Sequence, residues 1–141
     1  MVAIELKELI ELLNKDLGLE YTAMVQYAQH SGVLTGAEYG DIIKEIKIHA
    51  GEELQHAITL AEQIDYLGGF PTVDVPPAAA SKDNREMLEQ DLAGEEDAIA
   101  RYKQRIVQAE GLMELALAQK LREILSMEQE HAMDLRNALG R

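Results

Sequence analysis

The chain of 141 residues contains no cysteine. That absence excludes a disulfide framework, a thiolate zinc site and an iron–sulfur cluster together, and it fits a reducing cytosol. Any metal must then be held by oxygen and nitrogen. Positive charge is also scarce: 13 Lys+Arg stand against 26 Asp+Glu, a formal charge of −13. The summed field repels phosphate backbones and attracts cations, and neither end carries a basic tail, so nucleic acid is not expected as a partner. No apolar run reaches the roughly 18 residues of a membrane span. The stretch from Met1 to Glu8 mixes acids with its apolar residues, unlike a secretory leader. The expectation is a soluble cytoplasmic protein without a membrane partner. Strand-like β-branched alternation is missing too, and the only three prolines all fall between residues 68 and 82.

Helical periodicity fills the rest, so the fold class is all-α. Four long segments emerge. The first runs from about Ile4 to Leu34, and the second from Glu38 or Asp41 to Leu67, where Gly68, Gly69 and Pro71 end it. The third starts at Asp83, with Glu86 three residues on as an Asp variant of the capping box, and runs to Gly111. The fourth fills Leu112 to about Leu139. Residues 68–82 form one long connection between two short-looped hairpins, long enough to cross a bundle, and the whole chain, 1–141, reads as a single domain.

Alternating steps of three and four give each helix an apolar seam, and every seam carries a glutamate at mid-length: Glu20, Glu53, Glu95 and Glu128. Four carboxylates in one dry core would cost on the order of several kcal/mol each unless protons or cations compensated them. Shared metal ions compensate all four. Glu53-x-x-His56 and Glu128-x-x-His131 each set a carboxylate and an imidazole on one helix face, so each pair can grip an ion. A single such pair is commonly a solvated accident; two in the core seam are not. The interval of 33 residues separates Glu20 from Glu53 and again Glu95 from Glu128, as in a duplicated hairpin. Tyr27 and Tyr102 each follow a lone glutamate by seven residues. They either donate hydrogen bonds to site carboxylates or pack in the core. His30 and His49 are expected as core or surface histidines rather than ligands. Gly94 beside Glu95 weakens its helix by about 1 kcal/mol relative to alanine.

At these residues the chain resembles the ferritin-like di-metal proteins, built with a Glu from each of two helices and a Glu-x-x-His from each of the other two. Within them it is most similar to the bacterioferritins, over essentially its whole length. The resemblance implies a ferritin-like four-helix bundle with the long crossover between helices 2 and 3. It implies Glu53 and Glu128 bridging two metals, with Glu20 and His56 capping one and Glu95 and His131 the other. It also implies oxidation of Fe²⁺ by O₂ or H₂O₂, two iron ions per chain, and a homo-oligomer. Mn²⁺ or Zn²⁺ suits the same ligands. Four carboxylates and two neutral imidazoles balance two divalent ions, which bridging carboxylates would hold roughly 3.5–4 Å apart.

Two departures narrow the resemblance. The haem-ligating methionine that follows the bridging glutamate of helix 2 in bacterioferritins is Leu54 here, so haem is not expected. The short fifth helix is absent before Arg141, which makes a dimer or a 12-subunit shell alternatives to one of 24. Other readings are a rubrerythrin-like di-metal peroxidase, against which Ala98 stands where that family has a further glutamate, and a non-catalytic metal-binding bundle.

Overall fold

The computed structural model describes residues 3–141. Four helices account for most of it: α1 (Leu6–Val33), α2 (Gly40–Tyr66), α3 (Asn84–Gly111) and α4 (Leu115–Ala138), with one 3-10 turn at Ala37–Tyr39. No strand occurs among the described residues, and no helix is long and apolar enough to cross a membrane. Helix α1 packs along α2 and α3 along α4, and the two hairpins meet through α1 on α3 and α2 on α4. This is the expected bundle of two hairpins and one long crossover.

Most helix ends lie within a residue or two of their expected positions, and the capping chemistry says why. Asp83 accepts a 2.8 Å hydrogen bond from the Glu86 N–H, so the Asp capping box at the start of α3 is formed. Gly68 closes α2 at φ +94°, with Gly68 N–H donating to the Asp65 carbonyl and Gly69 N–H to that of Ile64. That pair of bonds is a Schellman motif, and it needs a residue at ease in the left-handed region. The start of α4 departs further, at Leu115 instead of Leu112. The same motif ends α3, with Met113 N–H on the Glu110 carbonyl and Glu114 N–H on that of Ala109, and here the left-handed position is Met113, at φ 61°. The hairpin turn therefore consumes Leu112, Met113 and Glu114, while α3 ends at Gly111 as expected.

The crossover has no helix of its own, and its backbone groups are met instead by side chains of α1. Asn14 Nδ2 donates to the Phe70 carbonyl, and Asn14 Oδ1 accepts from the Thr72 N–H. Tyr21 and Thr22 donate to the carbonyls of Thr72 and Pro76, and Gln26 Oε1 accepts from the Ala79 N–H. The strap lies so close to α1 that a Cβ at Gly18 would sit 3.1 Å from the Asp74 carbonyl oxygen. Polar residues on one face of α1 thus meet much of the backbone of a proline-containing segment that forms no helix of its own.

Two apolar clusters form the core. One gathers Leu9, Leu13, Leu17, Leu60, Tyr102 and Leu121, and the other Tyr27, Ile46, Leu88, Leu92 and Leu135. Along the same faces Met24 and Ile99 are half-buried. The four seam glutamates lie at mid-helix between the two clusters and are shielded from water by both.

The exposed Met113 holds a conformation that costs an L-residue roughly 1–2 kcal/mol and glycine almost nothing. Replacing Met113 by glycine is expected to raise Tm by about 3 °C, after the extra chain entropy of glycine is subtracted. A thermal melt showing a lower Tm for Met113→Gly would contradict the strain assigned to this turn.

Candidate metal centre

Each helix delivers its seam glutamate to one point, and α2 and α4 each add the histidine one turn later. Glu20, Glu53, Glu95, Glu128 and His131 are 1–2% exposed and His56 is 8% exposed. The structure brings all six sequence-predicted residues together. They form two overlapping groups able to hold a metal ion: Glu20, Glu53, His56 and Glu128, and Glu53, Glu95, Glu128 and His131. Glu53 and Glu128 belong to both.

The distances repeat the same division. His56 Nδ1 lies 3.2 Å from Glu128 Oε1, 3.3 Å from Glu53 Oε1 and 3.6 Å from Glu20 Oε2. His131 Nδ1 lies 3.3 Å from Glu53 Oε1, 3.3 Å from Glu95 Oε1 and 3.5 Å from Glu128 Oε1. Five buried atoms here, Glu20 Oε2, Glu53 Oε1, Glu95 Oε2, Glu128 Oε1 and His56 Nδ1, have no hydrogen-bond partner among the described residues. Buried polar atoms rarely go unpaired, and five around one point, all oxygen or imidazole nitrogen, fit ions such as Fe²⁺, Mn²⁺ or Zn²⁺.

The two tyrosines act crosswise. Tyr27 Oη on α1 donates to Glu95 Oε1 on α3 at 2.6 Å, and Tyr102 Oη on α3 donates to Glu20 Oε1 on α1. Each phenol thus fixes one oxygen of the opposite hairpin's lone glutamate and leaves Oε2 unpartnered. Burial, with Glu95 beside Tyr27 and Glu20 beside Tyr102, pushes both phenols well above their ordinary range and keeps them donors. The expectation left two roles open for these tyrosines, and the geometry combines them: both are core residues, and both bind site carboxylates.

Several residues that shape the centre carry no signal in the seam pattern. Asp16 accepts from Arg101 Nη1 at 2.7 Å and Arg105 Nε at 2.8 Å, joining α1 to α3. Asp91 accepts from Gln26 Nε2 at 2.9 Å and faces His30 Nδ1 at 2.9 Å, joining α3 to α1. His30 Nε2 also reaches the Ala79 carbonyl of the crossover at 3.1 Å, so this histidine is a buried tie and not a ligand. These pairs are one device used twice. An interval of 75 residues relates Asp16 to Asp91, Gln26 to Arg101 and His30 to Arg105, as it relates Glu20 to Glu95. Extending the duplication beyond the glutamates would have exposed them. Burial pushes the Asp16 carboxyl up and outweighs the opposing pull of Arg105 and Arg101.

The halves differ around the imidazoles. His131 Nε2 lies 3.1 Å from Glu52 Oε1, a contact that sets its proton on Nε2 and turns Nδ1 towards the carboxylates. The residue 75 positions beyond Glu52 is Met127, which offers His56 no such partner. His49 stacks on His131 with ring centroids 3.9 Å apart and contacts Asp134 at 3.1 Å. A cavity of about 80 Å³ between α1 and α3, lined by Ala23, Gln26, Gly94 and Ala98, reaches Glu20, Glu53, Glu95 and Glu128. That is room for several water-sized molecules. A Cβ at Gly94 would meet no atom within 4 Å, so this glycine lines open space rather than a close helix contact.

With protons as the only available cations, burial and neighbouring carboxylates push Glu53 and Glu128 well above the ordinary carboxylate range. For His56, burial works against the charged form, but Glu128, Glu20 and Glu53 outweigh it and push the imidazole up to about 12. Folding of the metal-free chain therefore takes up protons. For groups whose folded values are raised, the stability gained is fully present below the unfolded values, about 4.3 for Glu and 6.5 for His, and is lost as pH rises towards the folded ones. The Tm of EDTA-treated protein should thus fall from pH 5 to pH 8. Saturating Zn²⁺ should reverse the slope, because metal binding expels those protons. A Tm in EDTA that rises over this interval would count against the proton-filled centre.

Known proteins place this geometry in a family. The family model described as a ferritin-like domain matches residues 10–141. A bacterioferritin from Brucella melitensis is 34% identical over 125 residues, covering 88% of this chain and 78% of that protein. A ferritin-like, diiron-carboxylate protein from Bacillus anthracis superposes with a TM-score of 0.92 at 34% identity, covering 98% of this chain and 99% of the other. The bacterioferritin-related protein from Bacteroides fragilis, a dodecameric thioferritin, gives 0.90 at 30% identity, covering 97% and 87%. The chain belongs to the ferritin-like family and counts bacterioferritins among its relatives.

Proposed function

We propose that the chain is a ferroxidase, with Fe²⁺ as substrate and O₂ or H₂O₂ as oxidant, serving iron storage or detoxification. The observation that carries this reading is the overlap of the two four-residue groups in Glu53 and Glu128. Two ions held against shared carboxylates sit close enough to give one electron each to a single oxidant. Two Fe²⁺ and two protons reduce O₂ to H₂O₂, or H₂O₂ to two waters. Glu53 and Glu128 bridge the ions; Glu20 with His56 and Glu95 with His131 hold one each. Tyr102 and Tyr27 keep the Glu20 and Glu95 carboxylates turned so that one oxygen of each faces its ion. The α1/α3 cavity gives small molecules a way to the carboxylates.

The assembly proposed is a closed homo-oligomeric shell, as supported by the dodecameric relative. Leu54 and Ile58 stand one turn apart on α2 at 46% and 42% exposed, and a second copy would cover them. Leu54 offers a saturated side chain with no lone pair, so the purified protein should carry no haem at one per two chains. With two divalent ions bound, the formal charge of −13 becomes −9, which leaves an acidic surface to gather ferric iron.

Anaerobic Fe²⁺ titration of the apoprotein should saturate at two ions per chain, and later addition of O₂ or H₂O₂ should oxidise both. Glu53→Ala and Glu128→Ala should each weaken both positions, because each carboxylate is shared. Binding of two ions with wild-type affinity in either variant would sink the bridging assignment. Aerobic loading well beyond two ions per chain, with the protein soluble and its native mass that of a shell, is the outcome expected of a store. A small oligomer that oxidises two ions and then precipitates rust would overturn the storage role and leave the oxidation chemistry intact.

A further inference from the structure

One cluster of potential ligands lies outside the six-residue centre. Glu45 and His49 stand one turn apart on α2, and Asp134 faces them from α4; a ligand atom from each lies within 4.8 Å of the others. His49 is 1% exposed, and its Nε2 contacts Asp134 at 3.1 Å, while Nδ1 has no hydrogen-bond partner among the described residues. The buried imidazole is thus directed at a carboxylate whose side chain is 43% exposed, with the exposed Glu45 beside it. We infer that Glu45, His49 and Asp134 hold a third divalent cation on the α2/α4 side of the bundle.

The charge balance and the donor types both fit. Two carboxylates and a neutral imidazole offset one divalent ion, and mixed oxygen and nitrogen donors suit Fe²⁺, Mn²⁺ or Zn²⁺. Nor is the cluster an echo of the duplicated hairpin. The residues related by 75 positions are Lys120 for Glu45, Ile124 for His49 and Thr59 for Asp134, none of them able to complete such a site. One half of the molecule alone carries these three residues, two of them open to solvent and the third, His49, stacked on His131.

The test is a comparison of Zn²⁺ content in the full chain and in the double variant Glu45→Gln/Asp134→Asn. The changes fall on partly exposed side chains, so folding is retained. Each protein is dialysed against low-micromolar buffered Zn²⁺ and the bound metal is quantified. The variant should bind one Zn²⁺ per chain fewer than the wild type, and crystals of the wild type should show anomalous density between His49 and Asp134. Equal Zn²⁺ content in the two proteins would overturn the assignment. Because the result is a difference at residues outside the dinuclear centre, it is separable from that reading: if Glu53 and Glu128 did not bridge a pair, both totals would fall while the difference remained.

Discussion

Four ionisable carboxylates share one dry region between two apolar clusters, and that constraint organises the rest of the molecule. Glutamates so placed repel one another, lose hydration and have no basic side chain among them except two imidazoles. Such charge calls for compensating cations, which protons supply in the metal-free chain and which metal ions would supply in the proposed one. The upward displacement of Glu53, Glu128 and His56 and the five unpartnered buried atoms are two expressions of that need. A core made only of leucine would pack more stably and would attract nothing.

Holding the glutamates in register requires α1 and α3 to be fixed against each other, although they belong to different hairpins. Buried polar pairs do this on both sides of the centre. Asp16, one turn before Glu20, binds Arg101 and Arg105, and Asp91, one turn before Glu95, faces Gln26 and His30. The crossed tyrosine bonds repeat the connection at the carboxylates themselves. His30 adds the crossover strap to the same network through the Ala79 carbonyl. The long connection is therefore part of what positions the candidate metal ligands. Breaking one partner of such a buried pair leaves the other uncompensated, which costs more than the pair contributes.

The duplication is faithful in the two groups that could each hold an ion and lapses elsewhere. Glutamates, Glu-x-x-His pairs, tyrosines and the inter-hairpin aspartates all repeat. Glu52, which orients His131, has Met127 in its place on the other side, and His49 has Ile124. His131 is consequently braced by a carboxylate and stacked on His49, while His56 has no such bracing carboxylate beyond the site's own glutamates. Two positions built alike in their direct ligands are unequal in their surroundings, and inequality of that kind tunes ligand basicity and metal affinity.

The sequence by itself determined the helical class and the hairpin–crossover–hairpin order, and it pointed to the six residues that the candidate centre brings together. These depend on local periodicity and on spacing along a helix, which the order of residues carries without reference to a partner helix. The Asp83 cap and the Gly68 stop are legible for the same reason. Only the tertiary structure decided which oxygen of Glu20 and Glu95 each tyrosine binds, that the bonds run crosswise, and that Asp16 and Asp91 face Arg105 and His30, because such pairs join residues 60 to 90 positions apart. It also decided the turn at Met113, since a left-handed residue other than glycine has no signature in composition and is imposed by the closure of α3 on α4. The Glu45, His49 and Asp134 cluster belongs to the same class: two of its members share a helix face, but the third arrives from another helix, and only packing brings it there.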